Sequence, residues 1–432
     1  MPVPPIAEIN AADTAWMFAA TALVLMMTPA LGLFYAGLVR SKNALNTFMM
    51  AVAAIPVAGI CWALVGYSLA FGDGGGIIGN LDFAFLKDVG FEPFGETTIP
   101  HLLFMAYQGT FCILTLALVS GAFVERIRFV PYLIFAALWA TLVYPTLAHW
   151  VFGGGWLADE GTLDFAGGVS VEMASGFSAL AAALVVGVRK DYGRQALLPH
   201  NSVYVLLGAS LLWFGWFGFN GGSGLGVNEA STLAFVNTLL TPACTVFTWF
   251  MLDYARGRRI TAVGAATAVI VGCVGITPAA GFISPIWAMV LGFAVTFPCY
   301  AVIVWRPRTR IDETLDVLAA HGIAGITGMV FIGFFAQLDW NGVANGLIYG
   351  DAGQLGSQLL AVAATPIFAF AATWIILRAV GAAVALRDAD REEAIGMDVV
   401  HHGEEAYLTG EGALLIPAGS EGDPGPAKAR VG

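Results

Sequence analysis

Two ionisable residues lie inside otherwise apolar stretches: Glu172 in GGVSVEMASGFSALAAALVV and His321 in LDVLAAHGIAGITG. A charge held in hydrocarbon is costly, so such residues mark function unless they serve only to pair with one another. A carboxylate in contact with an imidazole forms a proton-sharing pair whose titration belongs to both groups together. Ala174, Ser175, Gly176, Gly322 and Gly325 surround the two, and small residues let helix backbones approach closely. The chemistry expected of Glu172 and His321 is proton movement near the middle of a membrane. A structural hydrogen-bonded pair with no substrate is the other reading.

Aromatic residues supply a second signal. Tyr107 and Phe111 stand one helical turn apart, and a later segment reads WFGWFGFNGGS. A ring face attracts a small cation by about 0.5–2 kcal/mol, although Trp213, Phe214, Trp216, Phe217 and Phe219 equally suit lipid-facing or core positions. Asp164 follows a glycine-rich loop, Gly153–Gly155. It is placed either to draw cations to a mouth or to cap the helix that follows. Together these residues describe an acidic mouth, an aromatic gate and a narrow passage with a buried proton-sharing pair. That arrangement favours a small, deprotonatable cation over a bulky organic solute, and physics alone does not single out which.

The elements that must position these residues are membrane helices, each needing roughly 20 mostly apolar residues. Apolar runs predict eleven, at Thr14–Gly37, Ala44–Phe71, His101–Val124, Val130–His149, Gly168–Val188, Val203–Gly221, Thr232–Tyr254, Ala262–Ala280, Pro285–Val304, Asp316–Phe335 and Leu355–Leu386. The last is long enough to tilt or project into the cytoplasm. Basic residues test the count. Arg40 and Lys42, Arg126 and Arg128, Arg189, Lys190 and Arg194, Arg256, Arg258 and Arg259, and Arg306, Arg308 and Arg310 all follow odd-numbered spans. Arg378, Arg387, Arg391, Lys428 and Arg430 end the chain, and only Lys87 follows an even-numbered span. The positive-inside rule then puts the N-terminus outside and the C-terminus inside. Five spans plus five, with a final helix, predict an inverted repeat with its transport site near the midplane. WLADEGTLDFAGG and DETLDVLAAHG each place an aspartate at the mouth of the fifth span of a half. Glu125 beside Arg126 and Arg128, and Asp253 beside Arg256, are expected to be solvated or locally paired.

Composition agrees. The chain has 432 residues, 58% hydrophobic and 11% charged, with mean hydropathy +0.78, against about 25% charged in ordinary globular proteins. The net charge of −11 reflects acidic outer loops and an acidic tail. No basic run interleaved with aromatics points to nucleic acid. Cys61, Cys112, Cys244, Cys273 and Cys299 lie in apolar stretches without a Cys-x-x-Cys pair, as buried apolar residues do. No basic region precedes the first apolar run, so no cleaved signal peptide is expected. Residues 408–432, rich in Gly, Pro and Ala, are expected to be disordered. H-E-x-x-H and G-x-S-x-G motifs are absent from the sequence, which disfavours an enzyme.

LFYAGLVRSKN, GAFVERIRF, LAHWVFGGGWL, LDFAGG, LLWFGWFGFNGGS, VGITPAAGFI and DETLDVLAAHGIAGITG resemble, in order, motifs of the Amt/Mep branch of the ammonium transporter (Amt/Mep/Rh) family, over roughly residues 14–407. The resemblance implies an all-α membrane protein of eleven helices that assembles as a homotrimer, each protomer with its own pore for ammonium, and no cofactor or metal. It implies that Phe111 and Phe219 form a stacked gate, and that Tyr107, Phe152 and Ser223 line an outer cation site supported by Asp164. Trp216 would flank the path and His321 would be the second of the family's twin pore histidines. Residues 14–386 would form the membrane domain and 387–432 a cytoplasmic tail. Its segment IGMDVVHHGEEAYL is similar to tails that in many members contact a PII-type signal protein. The chain departs from the pattern twice. Glu172 stands where the first pore histidine is usual, as in some fungal members, and Phe152 stands where a tryptophan is usual. An ammonium sensor that barely conducts is the alternative function.

Overall fold

The structure, a computed structural model, describes residues 8–257 and 259–407. Among them are eleven helices long and apolar enough to cross a membrane: α1 Ala11–Leu38, α2 Ser41–Phe71, α3 His101–Ser120, α4 Phe129–Asp159, α5 Gly168–Val186, α6 Ser202–Gly222, α7 Glu229–Ala255, α8 Ala262–Ala279, α9 Pro285–Arg308, α10 Leu318–Phe335 and α11 Ala352–Ala383. Sheet-like pairing among the described residues is limited to two isolated bridges, Pro93–Pro100 and Ile127–Arg387. Arg258, Lys428, Arg430 and the segment expected to be disordered from 408 lie outside the described residues.

Short polar side chains start these helices by accepting backbone N–H bonds that the first turn leaves unmade. Asn10 accepts from Ala12 and Asp13, Asn201 from Val203 and Tyr204, Asn228 from Ser231, and Asp351 from Gly353 and Gln354. Several bounds differ from the sequence expectation by three or more residues, and two of the differences have a local reason. α3 stops at Ser120, because the chain turns through Gly121 to Glu125, whose φ is +72°. α4 continues past His149 to Asp159 in three pieces, breaking at Val143 ahead of Pro145, which cannot donate within a helix.

The helices sort by burial. In their most apolar 18-residue stretches 78% of α3 and α5 residues are buried, against 28% in α2 and α11, so the helices carrying Phe111 and Glu172 are central. α1 packs along α6 and α5 against α10 and α11. The pairings α2–α3 and α2–α4 have counterparts in α7–α8 and α7–α9.

The loops after α1, α3, α5 and α9 meet at one end, the end that the loop arginines make the inner one by expectation. Glu125 bonds Arg40 at 3.0 Å and Arg189 at 2.6 Å, and Arg189 also bonds Asp312 at 2.7 Å. The fully buried Arg126 donates to the carbonyls of Ala122, Gly187 and Asp312 and to the Thr314 hydroxyl. Glu125 and Arg126 are therefore paired and buried, not solvated. The tail docks on the same end. The Met397 amide donates to Asn43, and Asp398 accepts from the Leu45 and Asn46 amides, capping α2 from the far end of the sequence.

Candidate functional site

Asp164 shapes the start of α5. Its Oδ1 accepts from the Gly167 and Gly168 amides at 2.9 and 2.7 Å, and its Oδ2 accepts from Val169 at 2.8 Å. Burial pushes this carboxyl up, against the pull of those amides. The first turn, Gly168–Met173, is π-helical, and a wide turn of that kind is common at functional sites. Glu172 lies on it. α10 opens in the same way with a π-helical turn, Leu318–Ile323, which carries His321.

The carboxylate that caps α10 is not one of the aspartates. Asp312 is held by Arg189 and Asp316 by Arg306, leaving the fully buried Glu313 to accept from the Leu315 and Leu318 amides at 3.3 and 3.2 Å. Glu313 precedes His321 by the same eight residues that separate Asp164 from Glu172. That shared spacing is the sequence signal that identifies it. Burial, partly offset by Arg306, pushes the Glu313 carboxyl up to about 7.

The two pore residues meet. Glu172 Oε2 and His321 Nδ1 are 2.7 Å apart and both residues are buried. The approach depends on missing side chains. A Cβ on Gly176 would run into the Gly322 backbone, and one on Gly325 would come within 2.9 Å of Glu172 Cβ. With one proton between them, the pair is either carboxylate with imidazolium or carboxylic acid with neutral imidazole, and the two forms differ by a shift along a single hydrogen bond.

Three cavities lie in series around this pair. An outer one of about 140 Å³ is lined by Phe104, Gln108, Phe111, Phe152, Ser170 and Ser223, among others. A lumen of about 10 Å³ is lined by Glu172, Trp216, Phe219, His321, Phe34 and Ile270, with other apolar side chains. An inner one of about 380 Å³ shares Phe34 and Ile270 with the lumen and reaches Arg40, Glu125, Arg189 and Asp316. Phe111 and Phe219 divide the outer cavity from the lumen, their ring centroids 4.6 Å apart. The rings are tilted at 56°, not stacked in parallel, because Phe219 also packs on Trp216 and Phe111 on Tyr107. Phe34 and Ile270 stand where the lumen meets the inner cavity. Apolar residues in apolar helices give no sequence signal for such a role.

Among the residues expected at the outer site, Phe152 and Ser223 line the outer cavity. Tyr107 and Asp164 stand behind it. The Tyr107 hydroxyl faces the carbonyls of Gly218 and Phe219 at 3.0 and 2.9 Å, bracing the end of α6, and Asp164 is occupied by its three amides. Trp216 lines the lumen with its indole N–H held by Thr277 at 2.8 Å.

At the inner end, burial would raise the Glu125 carboxyl, but Arg189 and Arg40 outweigh it and hold the group down at about 2. Glu125 is thus ionised across the physiological range and serves as a fixed charge, not a proton carrier.

Comparisons with known proteins follow the same outline. The model of the Ammonium Transporter Family matches residues 15–407. The ammonium transporter of Bacillus subtilis (strain 168) is 45% identical over 91% of this chain and 98% of its own length. Amt1 of Archaeoglobus fulgidus is 43% identical over 91% and 99%. The crystal structure of Candida albicans Mep2 superposes with a TM-score of 0.84 at 36% identity, covering 89% of this chain and 88% of that one. A solved sensor Amt protein superposes with a TM-score of 0.84 at 28% identity, over 90% of this chain and 98% of the other.

Proposed function

The chain belongs to the ammonium transporter family, and from that premise we propose that it moves ammonium across the cell membrane by separating the proton from ammonia inside the protein. The observation that carries this reading is a lumen of about 10 Å³ behind the Phe111–Phe219 rings, with Glu172 and His321 on its wall. Space of that size holds about one water. It excludes a hydrated ion, and it gives a proton no continuous water chain.

Ammonium is drawn into the outer cavity by the faces of Phe111 and Phe152 and the oxygen of Ser223. It loses its proton at the Phe111–Phe219 constriction, and ammonia crosses the apolar lumen. The proton passes by way of Glu172 and His321 and rejoins ammonia at the inner cavity. Asp164 and Tyr107 act by positioning: the first shapes the turn that carries Glu172, the second fixes the end of α6 where Phe219 and Ser223 lie. The basic loops favour an inner end in the cytoplasm and an N-terminus outside. The repeated packing pattern of α2–α4 and α7–α9, with the matched capping of α5 and α10, supports a five-plus-five inverted repeat. We further propose a homotrimer with one pore per protomer and a tail available to a PII-type signal protein. The function is transport, not catalysis of a chemical conversion.

The test is ammonium-driven current against pH, in liposomes, for wild type, Glu172→Gln and Glu172→His. Gln keeps the shape and removes the titration, so it should impair proton-coupled current more than folding. His restores the usual family pair and should carry current with a changed pH profile. Three superimposable curves would remove the carboxylate from the mechanism. The fit to a sensor Amt protein favours one second reading, an ammonium sensor, and absence of ammonium flux in the wild type would select it.

A further inference from the structure

Thr277, in the segment VGITPAAGFI at the end of α8, is fully buried behind two residues of the lumen wall. Its Oγ accepts the indole N–H of Trp216 at 2.8 Å and stands 2.8 Å from the Cys273 carbonyl, and its hydroxyl also hydrogen-bonds the Glu172 side chain. The turn Thr277–Ala279 packs on the π-helical turn that carries Glu172. A Cβ on Gly168 would come within 2.5 Å of Pro278 Cβ, and the Phe165 amide donates to the Pro278 carbonyl at 3.0 Å.

A hydroxyl has one proton, and here it has two acceptors to choose from. The Cys273 carbonyl does not depend on it, because that carbonyl already takes the Thr277 backbone N–H. A buried carboxylate does depend on donated hydrogen bonds, which favour its charged form. The Trp216 indole holds Oγ in place and leaves the O–H free to rotate. The titratable groups that face Glu172 are few. His321 touches it from α10, Cys273 lies near it on α8, and Asp164 stands ahead of it at the start of α5. Cys273 and Asp164 bring no positive charge, so the charged carboxylate is supported by His321 and by Thr277. We propose that Thr277 is a positioning residue for the proton of the Glu172–His321 pair, its O–H turning to Glu172 when that group is charged and to the Cys273 carbonyl when it is neutral. The hydroxyl thereby favours carboxylate with imidazolium over the neutral pair, and holds the shared proton on the His321 side. The proposal rests on the ammonium reading and deepens it.

The experiment follows two readouts against pH for wild type, Thr277→Val and Thr277→Ser: ammonium-driven current in liposomes, and the carboxylic C=O infrared band that Glu172→Gln abolishes. Valine keeps the shape of threonine and removes the hydroxyl. A hydrogen bond to a charged group is worth about one to two pH units in the titration it supports. Without it the acid form of Glu172 persists to higher pH, so in Thr277→Val the acid limb of the current and the midpoint of the infrared band should both move up by about that much. Thr277→Ser should restore the wild-type midpoints. In a Glu172→Gln background Thr277→Val should leave the pH profile of the current where Gln puts it. Valine also strands the Trp216 N–H, and a purely structural role would lower current without moving either midpoint; that result would overturn the proposal, as would equal shifts in the valine and serine variants. If the valine variant does not assemble, Thr277→Ala carries the same expectation. A wild type without ammonium current would count against the transport reading, and the infrared midpoints would then decide the proposal by themselves.

Discussion

Replacing Gly325 by alanine tests whether the Glu172–His321 contact controls transport. The added Cβ would sit 2.9 Å from Glu172 Cβ and 3.3 Å from Met173 Cγ and the Met173 amide nitrogen. Carbon atoms in contact prefer about 3.5–4.0 Å, so α5 and α10 must part locally by about 0.6–1.1 Å. The bond between Glu172 and His321 is 2.7 Å long, and that displacement stretches it beyond the roughly 3.2 Å at which such bonds hold. Two effects follow. Overpacking costs about 1–3 kcal/mol of stability, which lowers the unfolding midpoint of the detergent-solubilised protein without preventing assembly. A misplacement of about 1 Å in a reacting geometry costs up to about a hundredfold in rate, so proton-coupled ammonium current should fall at least tenfold. Gly176→Ala, which meets Gly322 backbone and not a side chain, should be the more severe of the two. The assay is ammonium-driven current against pH, run beside a thermal melt of the same preparation. A folded Gly325→Ala protein with full current and an unshifted pH profile would show that the spacing of the pair does not matter.

Further expectations concern the gate, the charges and the tail. Phe219→Ala removes one ring of a two-ring constriction and should change ammonium flux and ion selectivity severalfold while leaving the oligomer intact by size-exclusion chromatography. The Glu125 carboxyl is held at about 2 against an ordinary 4.5, so its ionised form contributes about 3 kcal/mol that is fully present above pH 4.5 and is lost as pH falls toward 2. Glu125→Gln should remove that acid-dependent component from the melting curve and leave Arg189 and Arg40 short of a partner, lowering stability at neutral pH by about 3 kcal/mol. Deleting the chain from Ile395 onward takes away Met397 and Asp398. It should leave an assembled protein weakened by about 1–2 kcal/mol, through loss of the cap on α2, and one that no longer retains a PII-type protein in a pull-down.

The spans were legible because hydrocarbon demands long apolar runs and loop arginines are counted independently of them. Glu172 and His321 were legible because a charge within such a run has few explanations, and the glycines beside them announced a close approach. Glu313 was not singled out, since DETLD offers three acids within five positions and only the folded loop shows that Arg189 and Arg306 occupy the other two. Phe34 and Ile270 were hidden for the opposite reason: an apolar pore wall is spelled with the residues that also face lipid. The docked tail was invisible as well, because Asp398 caps a helix some 350 residues away, and no local pattern encodes a partner at that distance.

That distant cap also has a consequence in time. The amide of Asn46 and the carboxylate of Asp398 are 352 residues apart. At roughly 5–20 residues per second, a ribosome needs on the order of 20–70 seconds to make the second after the first. Throughout that interval the Leu45 and Asn46 amides lack their acceptor, and they gain it only once Asp398 has been made. A chain stopped short of Asp398 therefore displays an open helix end where a longer one displays a closed surface.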